Sequence, residues 1–282
     1  MRWLVTGARG MLGRDLVVSL RLQGYDVRAY GSADLDVRDE RAVTAAVREV
    51  DVVVNCAAWT AVDDAESHER EAFAVNATAA KHLAKAANRV GARAVQVSTD
   101  YVFGGDAREP YREDAPVRPA SAYGRSKAAG ERAVLDANRD HLVVRTAWLY
   151  GAHGQCFPRT IARLAQERDR LDVVDDQEGQ PTWTRDVARV IVDLVEGQAP
   201  GGVFHATSSG RASWFEFAQA VVAEAGADPA VVHPCSSAQA SRPARRPAWS
   251  VLGHDALVKV GIPPIGPWEE RWRRAARDVL AG

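Results

Sequence analysis

Cysteine is scarce in this chain and stands in no useful pattern. Cys56, Cys156 and Cys235 are odd in number, far apart and free of any Cys-x-x-Cys pair. That excludes a disulfide framework and a thiolate zinc site, and favours a reducing compartment. No histidine cluster exists to hold a metal, so none is expected. No apolar run approaches the ~18 residues of a transmembrane helix. The opening "MRWLVTGARGMLG" has an apolar stretch that stops at Thr6-Gly7, too short for the apolar region of a signal peptide. A cytoplasmic protein is expected. Charge bias is missing too: 36 basic against 37 acidic residues leave a net charge of −1, which gives no pull toward nucleic acid or an acidic membrane. No internal repeat or low-complexity tail is present.

What is present is alternation. The 282 residues suffice for one large domain or two small ones with a substantial core. Short apolar runs at 3–5, 26–30, 51–57, 93–98 and 141–150 read as strands. Between them, amphipathic segments at 11–22, 41–49, 69–90 and around 121–134 read as helices. "DVVVNCA" is continuously apolar, as befits a strand covered on both faces. Strand–helix repetition of this kind predicts an α/β fold, a Rossmann-type doubly wound parallel sheet over residues 1–150. Beyond Gly151 the regularity loosens into a smaller, mixed lobe over 151–282, which the sequence reads as substrate-binding. Helical patterns lie at 157–167, 185–196, 214–224 and 268–280. A stretch near 184–206, ending in "GVFHA", is expected to return a strand to the main sheet. The Pro- and Ser-bearing stretch 228–250 is expected to wrap over the surface.

"VTGARGMLG" places Gly7, Gly10 and Gly13 directly after the first strand, at the opening of the first helix. Gly7 allows the tight turn, Gly10 admits a diphosphate to the backbone amides, and Gly13 permits close helix–strand contact. The helix N-terminus adds favourable potential for the negative charge. Such a triplet alone can be a mere turn, but its strand-to-helix setting predicts dinucleotide binding. The second strand ends "RAYGSAD". Tyr30 and Gly31 stand where a carboxylate would receive the ribose of NADH, and Arg9, Arg28 and Ser32 are close in sequence. That points to NADPH, with NADH as the alternative. Asp34 and Asp36 pull the other way unless they belong to a solvated turn.

"SAYGRSKAAGERAV" sets Tyr123 one helical turn before Lys127, on one helix face. Alone, such a pair is usually solvated helix surface. Here it follows "STDYVFGG" at the carboxyl end of a strand, where open α/β sheets bind ligands. Thr99, Tyr123 and Lys127 then read as a carbonyl-reducing set. The threonine hydrogen-bonds the substrate oxygen and the phenol, and the tyrosine gives the proton. The lysine holds the nicotinamide ribose and is expected to lower the phenol's pKa.

"GARGMLG", "NCAAWTAVDDAES", "STDYVF", "YGRSK", "RTAWLYG", "VVDDQEGQPT" and "RPARRPAWSVL" together resemble the dTDP-4-dehydrorhamnose reductase family, extended short-chain reductases acting on nucleotide sugars. The resemblance runs from residue 1 to about 280. It implies that Gly10, Met11 and Leu12 contact the cofactor diphosphate, and that Asp36 and Val37 lie near the adenine. Ala58, Trp59 and Thr60 would flank the cofactor, Thr99 and Asp100 would touch the deoxysugar, and Trp148 would cover its ring. The substrate implied is a dTDP-linked 4-keto-6-deoxysugar, and the chain a monomer or homodimer. Related 4,6-dehydratases carry Thr-Asp-Glu in place of "STDY". Tyr101, with a phenol pKa near 10, cannot replace that glutamate base, so plain 4-keto reduction is expected. Cys156 stands where relatives often have asparagine.

Other readings stay open. The enzyme could reduce a different dTDP-deoxysugar. It could resemble the non-catalytic regulatory subunit of methionine adenosyltransferase, although the intact Thr99, Tyr123 and Lys127 argue against that; epimerisation is weakened by "STDYVF". No acid occurs from Pro229 to His254. Arg242, Arg245 or Arg246 could therefore grip a diphosphate, or simply form a solvated basic loop.

Overall fold

A computed structural model describes residues 1–240 and 242–281. Five strands and their helices alternate through the first half. They are β1 (Arg2–Thr6), α1 (Met11–Leu22), β2 (Asp26–Tyr30), α2 (Glu40–Ala46) and β3 (Val52–Asn55), then α3 (Glu69–Phe73), α4 (Ala79–Arg89), β4 (Arg93–Thr99), α5 (Ala122–Ala137) and β5 (Leu142–Thr146). A sixth strand, Gly202–His205, returns beside β5. The sheet order is Gly202–His205, β5, β4, β3, β1, β2, with every pairing parallel.

Side-chain alternation along the strands splits the core between two faces. Trp3 and Val5 of β1 and Val52 and Val54 of β3 pack against Leu16 of α1 and Val187 and Ile191 of α7 (Thr184–Glu196). Leu4 and Val53 point the other way, onto Val43 of α2 and Leu83 of α4. Each such buried aliphatic contributes about 1.5–3 kcal/mol. A separate core holds the second lobe. Phe217 of α8 (Trp214–Glu224) meets Trp272 of α10 (Trp268–Leu280) edge-on at 5.5 Å, and Tyr150 packs beside both.

Three sequence expectations are refined. The helix expected over 69–90 runs on without a break but widens into a π turn at Ala74–Thr78, between α3 and α4. Gly130 of α5 lies against that turn, where a Cβ would stand 2.1 Å from the Asn76 carbonyl oxygen. The strand expected over 141–150 stops at Thr146 and resumes as Leu149–Tyr150. Trp148 between them has φ 45°, the left-handed region, which ends strand pairing there. The segment 228–250 is tucked in as well as draped over. Val232–Cys235 pairs in parallel with Leu171–Val174, and Ala244 and Ser250 are buried.

Candidate active site

The glycine turn is built for close approach. Gly7 has φ 63°, and a Cβ there would lie 2.6 Å from the Ala57 nitrogen; one on Gly13 would lie 2.3 Å from the Gly7 carbonyl oxygen. Side chains are excluded at both places, so helix α1, the turn and the end of β3 share one small volume. Gly10 is the N-cap of α1 and supplies no side-chain cap, and the first turn carries no acid. The amides at this end are left to an anion, so the residues present fit a dinucleotide diphosphate. Leu12 is buried and Met11 half-buried, its thioether close to Gly151.

Three sheet strands away from β2, at the same carboxyl edge, β4 ends in Thr99. Its hydroxyl donates to Asp100 Oδ1 at 2.9 Å and accepts the Tyr101 amide at 3.2 Å, with the Tyr123 phenol beside it. Ser121 caps α5, accepting the Gly124 amide at 3.1 Å, and so fixes where Tyr123 enters the cleft. The Tyr101 ring meets the Tyr123 ring edge-on at 5.7 Å. Lys127 is buried, and its Nζ donates to the Val97 carbonyl of β4 at 2.7 Å.

The electrostatics differ from the expectation in one respect. Burial pushes the Tyr123 phenol above its ordinary value, the neighbouring Thr99 hydroxyl opposes that shift, and Lys127 is not among the groups that lower it. Burial pulls Lys127 itself down to about 8, partly countered by Glu131 and Cys56. Asp100 is pushed up to about 6 by burial. The Cys56 thiol, near Lys127, is raised to about 12 by burial and is unreactive near neutral pH.

One residue that no motif suggested ties the site together. Asn76, in the π turn, accepts the Trp59 amide at 2.9 Å, donates to the Trp59 carbonyl at 3.1 Å and donates to Ser126 Oγ at 2.9 Å. Ser126 Oγ in turn donates to the Tyr123 carbonyl at 2.7 Å. The loop Ala58–Thr60 and the helix bearing Tyr123 are thereby locked to one amide. π turns are frequent at functional sites, but their register is not readable from sequence.

The other candidates divide. Asp36 is held by Arg38 through two hydrogen bonds of 2.9 and 2.8 Å, which lower its carboxyl to about 2; the neighbouring Val37 is buried. Arg28 donates to the Arg48 carbonyl at 2.7 Å, turned away from the end of β2, and Ser32 is exposed. Arg246 forms a two-pronged pair with Asp63, at 2.7 and 2.9 Å, and Arg242 approaches the same carboxylate at 3.6 Å. The acid missing from 229–254 is thus supplied by the "WTAVDDAES" loop, and the basic stretch is not simply solvated. Trp148 stacks on Trp214 with centroids 3.5 Å apart and planes 6° from parallel. Nothing in the sequence paired those two indoles. Among the described residues no cluster of three or more metal-ligating side chains occurs, and no helix is long and apolar enough to cross a membrane.

A glycine turn and a hydroxyl–phenol–ammonium cluster on one edge of a doubly wound parallel sheet define an extended short-chain dehydrogenase/reductase fold. The model of the RmlD substrate binding domain family matches residues 1–281, and the chain belongs to that family. It is 50% identical to the probable dTDP-4,6-dihydroxy-2-methyloxan-3-one 4-ketoreductase of Streptomyces antibioticus, covering 100% of this chain and 96% of that one. It is 49% identical to the dTDP-4-dehydrorhamnose reductase of Streptomyces griseus, over 95% and 90% of the two chains. The crystal structure of the dTDP-4-dehydrorhamnose reductase of Bacillus anthracis, in complex with NADP, superposes with a TM-score of 0.93 at 37% identity, covering 97% of this chain and 98% of that one.

Proposed function

We propose that this protein is an NADPH-dependent reductase of the 4-keto group of a dTDP-linked 6-deoxy-L-hexose, converting dTDP-4-dehydro-L-rhamnose to dTDP-L-rhamnose. The observation that carries this reading is the meeting of Thr99 and Tyr123 at the carboxyl end of β4, with Lys127 anchored to the same strand. The site-residue roles follow from it. Gly7, Gly10 and Gly13, with Met11 and Leu12, receive the cofactor diphosphate. Ala58, Trp59 and Thr60 flank the cofactor, and Asp36 and Val37 lie toward its adenine end, beyond Tyr30 and Ser32. NADPH, when bound, supplies the hydride to the carbonyl carbon.

The chain's own part is positioning and one proton. Thr99 and Asp100 orient the sugar, Trp148 covers its ring, and Tyr123 gives its phenolic proton to the carbonyl oxygen as that oxygen becomes an alkoxide. A phenol raised by burial stays neutral at physiological pH and releases its proton only to a stronger base, which the nascent alkoxide is. Lys127, as a cation, holds the nicotinamide ribose and so sets the ring beside Tyr123. Residues 1–150 with the returning 184–206 form the cofactor side, and the rest of 151–282 forms the sugar side. A cytoplasmic monomer or homodimer belongs to the same reading.

The Streptomyces antibioticus relative, as similar as the rhamnose reductase, favours a second reading: 4-keto reduction of a different dTDP-deoxysugar. Following NADPH absorbance with dTDP-4-dehydro-L-rhamnose beside other dTDP-4-keto sugars separates the two. Turnover of the rhamnose precursor by wild type, with loss in Tyr123→Phe, is the expected result. Oxidation of NADPH by none of these sugars would refute both readings.

A further inference from the structure

We infer that Gln96 is a positioning residue for the nicotinamide end of the site, holding Lys127 in register with the glycine turn through a single file of buried hydrogen bonds. The inference rests on the proposed dinucleotide site and deepens it.

The file starts at Thr6, the last residue of β1 and the one before Gly7. Its hydroxyl donates to Asn55 Oδ1 at 2.6 Å, and the same oxygen accepts the Ala57 amide at 3.1 Å. Asn55 Nδ2 donates to Gln96 Oε1 at 2.8 Å, and Gln96 Nε2 donates to the Val97 carbonyl at 2.8 Å. That carbonyl is the one Lys127 Nζ holds, at 2.7 Å. Thr6, Asn55 and Gln96 are each no more than 4% exposed. Backbone pairing of β3 with β4 ends at Asn55 and Gln96, so beyond it these side chains tie the strands together.

Backbone groups fix the direction of the file at both ends. The Ala57 amide can only donate, so it claims the Asn55 oxygen and turns the Asn55 NH2 toward Gln96. The Val97 carbonyl can only accept, so it takes the Gln96 NH2. Reversing either amide would leave buried partners unpaired. Each bond also polarises the next, in one sense from Thr6 to Val97. Both lone pairs of the Val97 oxygen are then in use, one by Gln96 and one by Lys127. An ammonium on a four-carbon stem has little precision of its own. Anchored there, Lys127 aims its two remaining N–H groups from a point set by the same strands that carry the glycine turn and the loop opening at Ala57.

The test is a double-mutant cycle on the full chain, read as NADPH affinity by nicotinamide fluorescence and then as kcat/KM with the keto sugar. Gln96→Met keeps the length of the side chain and removes both bonds; Lys127→Met removes the group it acts on. Gln96→Met should weaken NADPH binding by about fivefold or more, and Lys127→Met by at least as much. The double variant should bind no more weakly than Lys127→Met, because nothing is left to position. A merely structural glutamine would cost the same factor in both backgrounds. Thr6→Val, at the far end of the file, should lose about twofold to threefold, and Thr6→Ser should recover most of that. Thermal unfolding of each variant checks that the fold is intact. Should Gln96→Met melt too low to assay, the cycle of Thr6→Val with Lys127→Met decides by the same criterion. Unchanged NADPH affinity in Gln96→Met, or losses that multiply in the double variant, overturns the inference. If the cycle couples as expected while no keto sugar is reduced, the proposed reaction fails and the positioning by Gln96 stands.

Discussion

Asn76 grips Trp59 by both of its backbone polar groups, its side-chain oxygen taking the Trp59 amide at 2.9 Å and its side-chain NH2 donating to the Trp59 carbonyl at 3.1 Å. A third bond carries the grip to Ser126 on the helix that presents Tyr123. Replacing Asn76 by alanine strips buried partners from both elements. A loss of about 2–3 kcal/mol is expected, together with a fall in kcat of about tenfold or more as the tyrosine loses its register. Chemical denaturation and steady-state kinetics on one preparation check both.

Tyr123→Phe removes the transferable proton and leaves the ring. Turnover should fall by about 10²–10⁴-fold. Cofactor binding, followed by nicotinamide fluorescence, should hardly change. Thr99→Val should cost less, about tenfold to 10²-fold, because it removes an orienting bond and not the donor itself.

Lys127 gives a pH signature with opposite signs in activity and stability. Its ordinary value of 10.5 falls to about 8 in the folded chain. Its contribution to stability is therefore present above 10.5 and is lost as the pH falls through about 8, since the fold disfavours the buried cation. Lys127→Met should melt higher than wild type at pH 7, by a few degrees, with the gap closing toward pH 10. Activity runs the other way: the wild-type rate should decline above about pH 8, where the ammonium is lost. Melting curves and rate profiles over pH 6–10 test both directions.

Asp63 draws Arg246, Arg242 and the Ala244 amide onto one carboxylate. Asp63→Asn keeps the shape and removes the charge. The segment carrying Arg246, beside the Tyr101 phenol, should loosen. The KM for the keto sugar should rise about tenfold with a smaller change in kcat, because the contact orders the sugar side without meeting the reacting atoms. Equal falls in kcat and kcat/KM would contradict this.

Gly179 leaves room for an indole: a Cβ there would lie 2.4 Å from Trp148 Cε2. Gly179→Ala should push Trp148 off Trp214, detectable as altered tryptophan emission, and raise the KM for the sugar severalfold. A packed core tolerates added methyls poorly, typically at a cost of about 1–3 kcal/mol.

Most of the sheet was legible because its signals are local. β1, β3 and β4 are apolar runs ended by turn residues, and α6 (Phe157–Glu167), α8 and α10 lie where their periodicity placed them. Thr99, Tyr123 and Lys127 could be named because spacing and chain order mark them. Asn76 could not, since its role depends on an extra residue in a helical turn that only tertiary contact stabilises. The Asp63–Arg246 and Trp148–Trp214 pairs join residues 183 and 66 positions apart, and no pattern in one sequence links them. The expected lowering of the Tyr123 phenol failed for a related reason. Helix spacing gave the shared face correctly, but the Lys127 ammonium was claimed by a strand carbonyl.

The strand Gly202–His205 has a bearing on how the chain is made. Its neighbour β5 has all five residues buried and holds an interior place in the sheet only once residues near 205 have arrived. On a ribosome adding residues from the N-terminus, β5 waits as an open apolar edge while more than fifty further residues are synthesised. Nascent chains halted between those two strands should bind trigger-type holdases and be cut readily by protease, and both sensitivities should vanish when the later strand emerges.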